Sequence, residues 1–475
     1  MKNIKFGTDG WRAVMAQDFT FDNVKLVVQA VAQFLQDHPL KENGVIVGYD
    51  NRFLSEHFAA QVVKVMAGNG IKSYLVNGAA PTPVTAFAIR TYNAAGAVMI
   101  TASHNPPEYN GIKFIPEYAG PALPHVTEKI EQELEHVLAS GRVAEMTLKD
   151  AREKGLCQEF DPKPVYKKHI KQLVNLDAVR KANLRIVVDP MFGAGISYLD
   201  QILSEEGCHV CAINNYRDPL FGGSLPEPTS KELTSLRETV LKEEADLGLA
   251  LDGDGDRFGI IDSNGEYLSP NQVLCLLYYH LLNVRKFRGP VARSVATTHL
   301  LDRMAEKYGF RSEETPVGFK FIGESMMKRG SVLGGEESGG LSVKGHIPEK
   351  DGILATLLIA EIRAVHGKTL TGILRQITDE FGIMISERLD IRVDPKEKER
   401  IIKELKEFNP DFFNGIPVME RIAIDGIKIV LENGSWVLIR ASGTEPLFRV
   451  YVEANSEEEL KELQKETIET FKFNM

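Results

Sequence analysis

Apolar positions along the chain follow two periods in alternation. Val24, Val27, Val28, Val31 and Leu35 recur at helical spacing behind Asp22, a residue able to cap them, and Pro39 ends the pattern. The run GVIVG at 44–48 reads as a buried strand, followed by a helix near 55–67, a strand at 73–77, a helix near 83–92 and a strand at 96–100. Such alternation predicts a mostly parallel, doubly wound sheet. The pattern restarts at 184–189 with a strand, a helix through 193–203, a strand at 209–214, a polar helix near 229–244 and a strand at 246–252. It continues with a hairpin through Asn264 and Gly265, a helix at 270–283, a strand at 290–296 and a helix at 299–308.

Beyond 381 the period changes. LDIRV, IKIVL, SWVLIR and FRVYVEA alternate apolar and polar residues, the mark of an antiparallel sheet with one solvated face, and helices near 396–406 and 456–472 are placed to cover the other. The reading is α/β: three doubly wound domains at 1–150, 151–257 and 258–380, then an α+β domain at 381–475 with an antiparallel sheet. Weakly patterned segments near 140–165 and 364–385 read as linkers. In an open sheet, ligands gather at the carboxyl ends of the strands.

Composition narrows the function. Lys and Arg total 56 against 66 Asp and Glu, a formal net charge of −10 in 475 residues, the opposite of a nucleic-acid or anionic-membrane binder. No apolar run has the length of a membrane span or of a signal peptide. Four cysteines are too few for a disulfide scaffold, and the C-x-x-C at Cys208 and Cys211 sits in an expected strand without a second pair. The expectation is a cytoplasmic protein, monomer or homodimer, that concentrates scarce cations beside a small ligand.

Four loops carry candidate chemistry. TASHNP at 101–106 follows a strand and exposes Ser103 as a candidate nucleophile, or simply turns the chain. DGDGDR at 252–257 also follows a strand, and on an extended loop its alternate carboxylates Asp252, Asp254 and Asp256 converge. Three converging carboxylates call for a hard divalent cation, Mg²⁺ or Ca²⁺; the alternative is a solvated acidic turn. GEESGG at 335–340 offers Glu336 and Ser338 to sugar hydroxyls, and reads equally as a polar turn. RASGTEP at 440–446, with Arg449 beyond it, offers Arg440, Ser442, Thr444 and the Gly443 N–H as a phosphate cradle, or a β-turn with a surface arginine. A phosphate of about −2 on Ser103, three aspartates and one Mg²⁺ leave roughly −3 to be balanced. Arg12, His104, Lys113 and Arg257 lie in or beside these loops.

In this order and spacing, FGTDGWR at 6–12 and the four loops resemble the α-D-phosphohexomutase superfamily over the whole chain. ETPVGFKFIGE at 314–324, GEESGG and HIPEKDG at 346–352 look most like phosphoglucomutases, while Gly340 stands where related subfamilies usually carry His or Phe. The resemblance implies three α/β domains and a smaller C-terminal domain around a central cleft. It implies a phosphorylated Ser103 and Mg²⁺ held by Asp252, Asp254, Asp256 and a phosphoserine oxygen. Glu336 and Ser338 would bind sugar hydroxyls, and Arg440, Ser442, Gly443, Thr444 and Arg449 the idle phosphate. Arg12, His104, Lys113, Arg257 and Lys350 would surround the reacting groups, with Lys113 or a partner as general acid/base, its pKa lowered by neighbouring cations.

The implied activity is interconversion of glucose 1-phosphate and glucose 6-phosphate through a hexose 1,6-bisphosphate, which also serves as activator. A phosphomannomutase or a dual phosphomannomutase/phosphoglucomutase is the next reading, then a phosphoglucosamine mutase. A metal-dependent sugar phosphatase would share the aspartates and the cradle but release free phosphate.

Overall fold

The computed structural model describes residues 4–6, 10–443 and 445–473. Four sheets follow one another along the chain. The first contains β1 (Trp11–Val14), β2 (Val45–Tyr49), β3 (Ser73–Val76), β4 (Gly96–Ile100), β5 (Tyr109–Pro116) and β6 (Cys157–Phe160), in the order β1-β5-β4-β2-β3-β6. Its four strands β4, β2, β3 and β6 are parallel; β5 runs antiparallel to β4, and β1, antiparallel to β5, takes the direction of the other four again. Period-two alternation explains its two covered faces. Val45, Val47, Val98 and Ile100 pack with the helices Phe21–Gln36 and Ser55–Gly68, whereas Ile46, Ala97 and Met99 pack with Thr82–Tyr92. Thr20 rather than Asp22 caps the first helix, its side chain accepting from the Asn23 N–H.

The second sheet contains β7 (Arg185–Asp189), β8 (His209–Ala212), β9 (Leu247–Leu251), β10 (Phe258–Asp262) and β11 (Tyr267–Leu268), ordered β11-β10-β9-β7-β8. The third contains β12 (Val291–Ser294), β13 (Glu313–Thr315), β14 (Leu333–Gly335) and β15 (Leu341–Val343), ordered β13-β12-β14-β15. One continuous apolar core joins these two sheets through the buried helices Pro270–Asn283 and Gly352–His366. The fourth sheet is wholly antiparallel: β16 (Ile385–Arg392), β17 (Phe412–Phe413), β18 (Ile416–Ile422), β19 (Ile427–Leu431), β20 (Trp436–Ala441) and β21 (Leu447–Ala454), ordered β16-β21-β20-β19-β18-β17.

Sheet membership corrects several expectations. β6 lies past residue 150 yet pairs with β3, so the first sheet extends to Phe160. A division after 257 would separate β10 from β9, to which it is hydrogen-bonded; the second sheet closes after Leu268. Both expected linkers contain regular elements: the helix Leu148–Glu153 with β6, and the helix Leu370–Phe381. The helix expected through 193–203 is confined to Leu199–Glu205, because Gly193 and Gly195 serve another purpose. A side chain on Gly193 would sit 2.7 Å from the Gly253 carbonyl oxygen, and one on Gly195 would sit 2.5 Å from Leu251. That turn is built for close approach to the aspartate loop.

Both faces of the last sheet carry packed apolar side chains. Ile429, Val437, Ile439 and Val450 meet the helices Pro395–Glu407 and Glu457–Phe471. On the opposite face Trp436, Leu438 and Tyr451 dock on Val295 and Ala296 of the third domain, so the face expected to be solvated is partly an interdomain surface. A charged socket reinforces it. The Lys428 ammonium, fully buried, donates to the Val295 carbonyl at 2.8 Å and to Glu314 Oε1 at 3.0 Å, and stands 4.2 Å from the Trp436 ring centre. Burial lowers the Lys428 pKa to about 8.

Candidate active site

The loops after β4 and β9 meet. Ser103 is buried and held in the left-handed region, φ 50°. Its hydroxyl donates to Asp252 Oδ2 at 3.0 Å, and its Oγ lies 3.3 Å from His104 Nδ1. A left-handed residue other than glycine costs roughly 1–2 kcal/mol and persists only where its surroundings enforce it. Two residues that sequence reasoning did not single out, Asp50 and Arg52, do so here. Asp50 accepts from Thr101 Oγ1 at 2.6 Å, and Thr101 Oγ1 in turn accepts the Ser103 N–H at 2.9 Å. Arg52, wholly buried, spreads its fork over four carbonyl oxygens of the same loop: Ser103 and Asn105 at 2.6 Å each, Pro106 at 2.8 Å and Tyr109 at 3.0 Å. Its guanidinium also lies 4.9 Å from the Phe221 ring centre. The available signal was position: Asp50 and Arg52 directly follow a buried strand, as the other two loops do.

The aspartate loop converges as its spacing implies. Asp252, Asp254 and Asp256 are fully buried and each offers an oxygen within 4.8 Å of the others. Thr82, at the start of the helix below, donates to Asp254 Oδ2 at 2.7 Å, and its N–H to the Asp254 carbonyl at 2.8 Å. Lys113 donates to Asp254 Oδ2 at 2.9 Å, and Lys350 Nζ stands 2.8 Å from Asp256 Oδ2. Asp254 Oδ1 and Asp256 Oδ1 remain buried without a hydrogen-bond partner. Burial first, then the carboxylates of Asp254 and Asp256, push Asp252 well above the usual carboxylate range. Buried hard-oxygen donors that repel one another and lack protons to accept fit a divalent cation. Mg²⁺ bound there would supply Lewis-acid charge to a phosphoryl oxygen.

The remaining expected residues divide into two groups. Arg12, on β1, donates to Asn105 Oδ1 at 2.8 Å. Arg257 donates its N–H to Asp252 Oδ1 at 3.0 Å and its fork to Glu227 at 3.0 Å. Glu336 is buried near Lys350 and Arg257 and bonded to Ser338, and burial lifts its pKa to about 7. Glu349, beside Lys350 and equally buried, is lifted to about 8, again chiefly by burial. His104 is driven the other way: burial, then Arg257, Arg12 and Lys350, hold it well below 6.5 and keep the imidazole neutral. Lys113 departs from expectation. Burial pulls its pKa down, but Asp254 and Asp256 outweigh that pull and raise it, so the ammonium stays charged.

The second group is built on the turn between β20 and β21. Arg440 and Arg449 face each other in register, and Arg440 Nε donates to Asp425 Oδ2 at 2.8 Å. Lys398 holds the turn through the Ser442 carbonyl at 2.6 Å and the Glu445 carbonyl at 2.8 Å, and Gly443 is exposed. Thr444, and residues 7–9 of the amino-terminal motif, lie outside the described residues. Burial and then Glu337 of the 335–340 loop raise the pKa of the Tyr451 hydroxyl, while Arg388, Arg449 and Arg440 oppose.

Comparison with known proteins agrees with this architecture. Residues 3–139, 164–265 and 269–381 match domains I, II and III of phosphoglucomutase/phosphomannomutase, and 389–470 match its C-terminal domain. A "phosphoglucomutase/phosphomannomutase" of Thermococcus kodakarensis is 31% identical over 457 residues, covering 96% of each chain. A "probable phosphoglucosamine mutase" of Pyrococcus horikoshii is 32% identical over 97% of this chain and 96% of its own. The crystal structure of a "putative phosphomannomutase" from Thermus thermophilus superposes with a TM-score of 0.84 at 34% identity, covering 99% of both chains. Four matched domains in order, and relatives alike from end to end, place this chain in the phosphoglucomutase/phosphomannomutase family of the α-D-phosphohexomutase superfamily, a family of phosphohexomutase isomerases.

Proposed function

We propose that the protein interconverts glucose 1-phosphate and glucose 6-phosphate through a phosphoserine at Ser103 and a hexose 1,6-bisphosphate. The observation that carries this reading is Ser103 Oγ, 3.0 Å from a buried carboxylate triad whose Asp254 and Asp256 each keep one oxygen without a hydrogen-bond partner. A hydroxyl there is poorly placed for acyl chemistry but well placed to store a phosphoryl group beside a divalent ion. Asp252, Asp254 and Asp256 would hold Mg²⁺ together with a phosphoserine oxygen.

The sugar's free hydroxyl attacks phosphorus; its O–P bond forms as the Ser103 Oγ–P bond breaks. Its proton passes to a neighbouring base, His104, which stands beside Ser103, or Lys113, which stands beside Asp254. Lys113, Lys350, Arg12 and Arg257 offset charge on the phosphoryl oxygens, and positioning does most of the catalysis. Glu336 and Ser338 orient the sugar, while Arg440, Ser442, Gly443, Thr444 and Arg449 take the idle phosphate. The bisphosphate then turns end for end and returns its other phosphate to Ser103.

The names of relatives support two further readings, a phosphomannomutase or dual phosphomannomutase/phosphoglucomutase and, after it, a phosphoglucosamine mutase. Measuring kcat/KM on the 1-phosphates of glucose, mannose and glucosamine with a bisphosphate primer decides among them; glucose is expected to lead. Ser103→Ala should lose both turnover and the mass of one phosphoryl group. Normal turnover in that variant, or steady release of free phosphate by the wild type, would refute the mutase mechanism.

A further inference from the structure

Gly340 ends the sugar loop at a crossing of three chain segments. Its carbonyl accepts the Glu336 N–H at 3.0 Å, and its backbone bridges to Arg257 of the aspartate loop. The third segment is the side chain of Lys350. A methyl group built on Gly340 would lie 2.4 Å from Lys350 Cδ and 2.7 Å from Cγ, closer than side-chain atoms pack. Its φ is not left-handed, so alanine is conformationally acceptable there and space alone forbids it.

The lysine has little room to step aside. Its backbone N–H is held by Glu349 Oε1 at 3.0 Å, and the next residue donates to the Leu341 carbonyl at 3.0 Å. Asp351 is further fixed by Tyr166 at 2.7 Å and lies 2.8 Å from His346 Nε2. At its far end the ammonium stands 2.8 Å from Asp256 Oδ2. A stem pinned at both ends passes directly over residue 340. We infer that Gly340 is a positioning residue: the missing side chain opens the channel through which Lys350 reaches the aspartate triad, coupling the sugar loop to the ion site. The inference rests on Lys350 belonging to the reaction centre.

The test is a double-mutant cycle of Gly340→Ala and Lys350→Ala, read in two ways. Calorimetric titration with Mn²⁺ reports the ion site without turnover. Withdrawing the ammonium removes a positive charge beside Asp256, so both single variants should bind Mn²⁺ severalfold more tightly and to the same extent. The double variant should gain nothing further, and with the stem gone it has room for the added methyl. In turnover of glucose 1-phosphate with glucose 1,6-bisphosphate as primer, Gly340→Ala should lose about a hundredfold in kcat/KM. In the Lys350→Ala background it should cost less than about twofold. Unequal Mn²⁺ shifts in the two single variants, or effects that add in the double variant, would overturn the inference. Absence of mutase turnover in the wild type would defeat the proposed activity instead, and the Mn²⁺ cycle would still decide the role of Gly340.

Discussion

At the scale of single residues, the site sets groups of opposite tendency side by side. His104 is held neutral, Lys113 charged, and the pKa values of Glu336 and Glu349 are lifted by burial toward and above neutrality, all within one buried neighbourhood. Glu349 gives a sharp test. Its folded pKa of about 8 stands above its ordinary 4.5, so between those values the folded protein keeps a proton that the unfolded chain releases. Stability therefore falls as pH rises through that window. Glu349→Gln cannot release the proton and keeps an oxygen for the Lys350 N–H. In chelator, variant and wild type should melt together at about pH 4, below the unfolded value, and by about pH 8.5 the variant should be more stable by about 2–4 kcal/mol. Parallel melting curves across the range would contradict the buried-acid assignment. Most of these residues could be read from the motifs that carry them. Asp50 and Arg52 could not be given a purpose, because Arg52 binds backbone carbonyls some fifty positions along the chain, and a carbonyl has no sequence letter.

At the scale of elements, Ser103 is presented by a loop held by a side chain of another loop. Lysine at position 52 would keep the charge but cannot span four carbonyl oxygens with one nitrogen. Arg52→Lys is expected to lower kcat about a hundredfold with little change in KM. Amides of 101–109 should exchange faster, and stability should fall by about 2 kcal/mol. Unchanged exchange there would show that the loop stands without its clamp. Long elements with one clear period, such as β2, β4 and the helix Pro270–Asn283, were legible from apolar spacing. The three-residue strands β13, β14 and β15 were not, since so short a run has no period. The expected helix from 193 failed for a physical reason: its glycines are spent on contact with Gly253 and Leu251, which no local propensity encodes. Alternation in β20 and β21 revealed two faces but could not distinguish water from a neighbouring domain.

Across the whole molecule, the candidate active site belongs to no single domain. Ser103 comes from the first sheet, the triad from the second, and Lys350 and Glu336 from the third, while the fourth is seated on the third through Lys428. Lys428→Met would keep the stem but remove the ammonium from beside Glu314. It should cost about 3 kcal/mol, the loss typical when one partner of a buried charge pair is removed. The melting temperature should drop and Trp436 emission should shift; an unshifted emission would mean that the socket does not hold the interface. The seam between the first two sheets has a consequence for recombination. Thr82 and Asp254, like Arg52 and Phe221, are partners encoded far apart in the gene. Chimeras that exchange one of the first three domains between relatives will therefore inherit mismatched halves of the same pocket, whereas grafts that carry all three together can arrive with it intact.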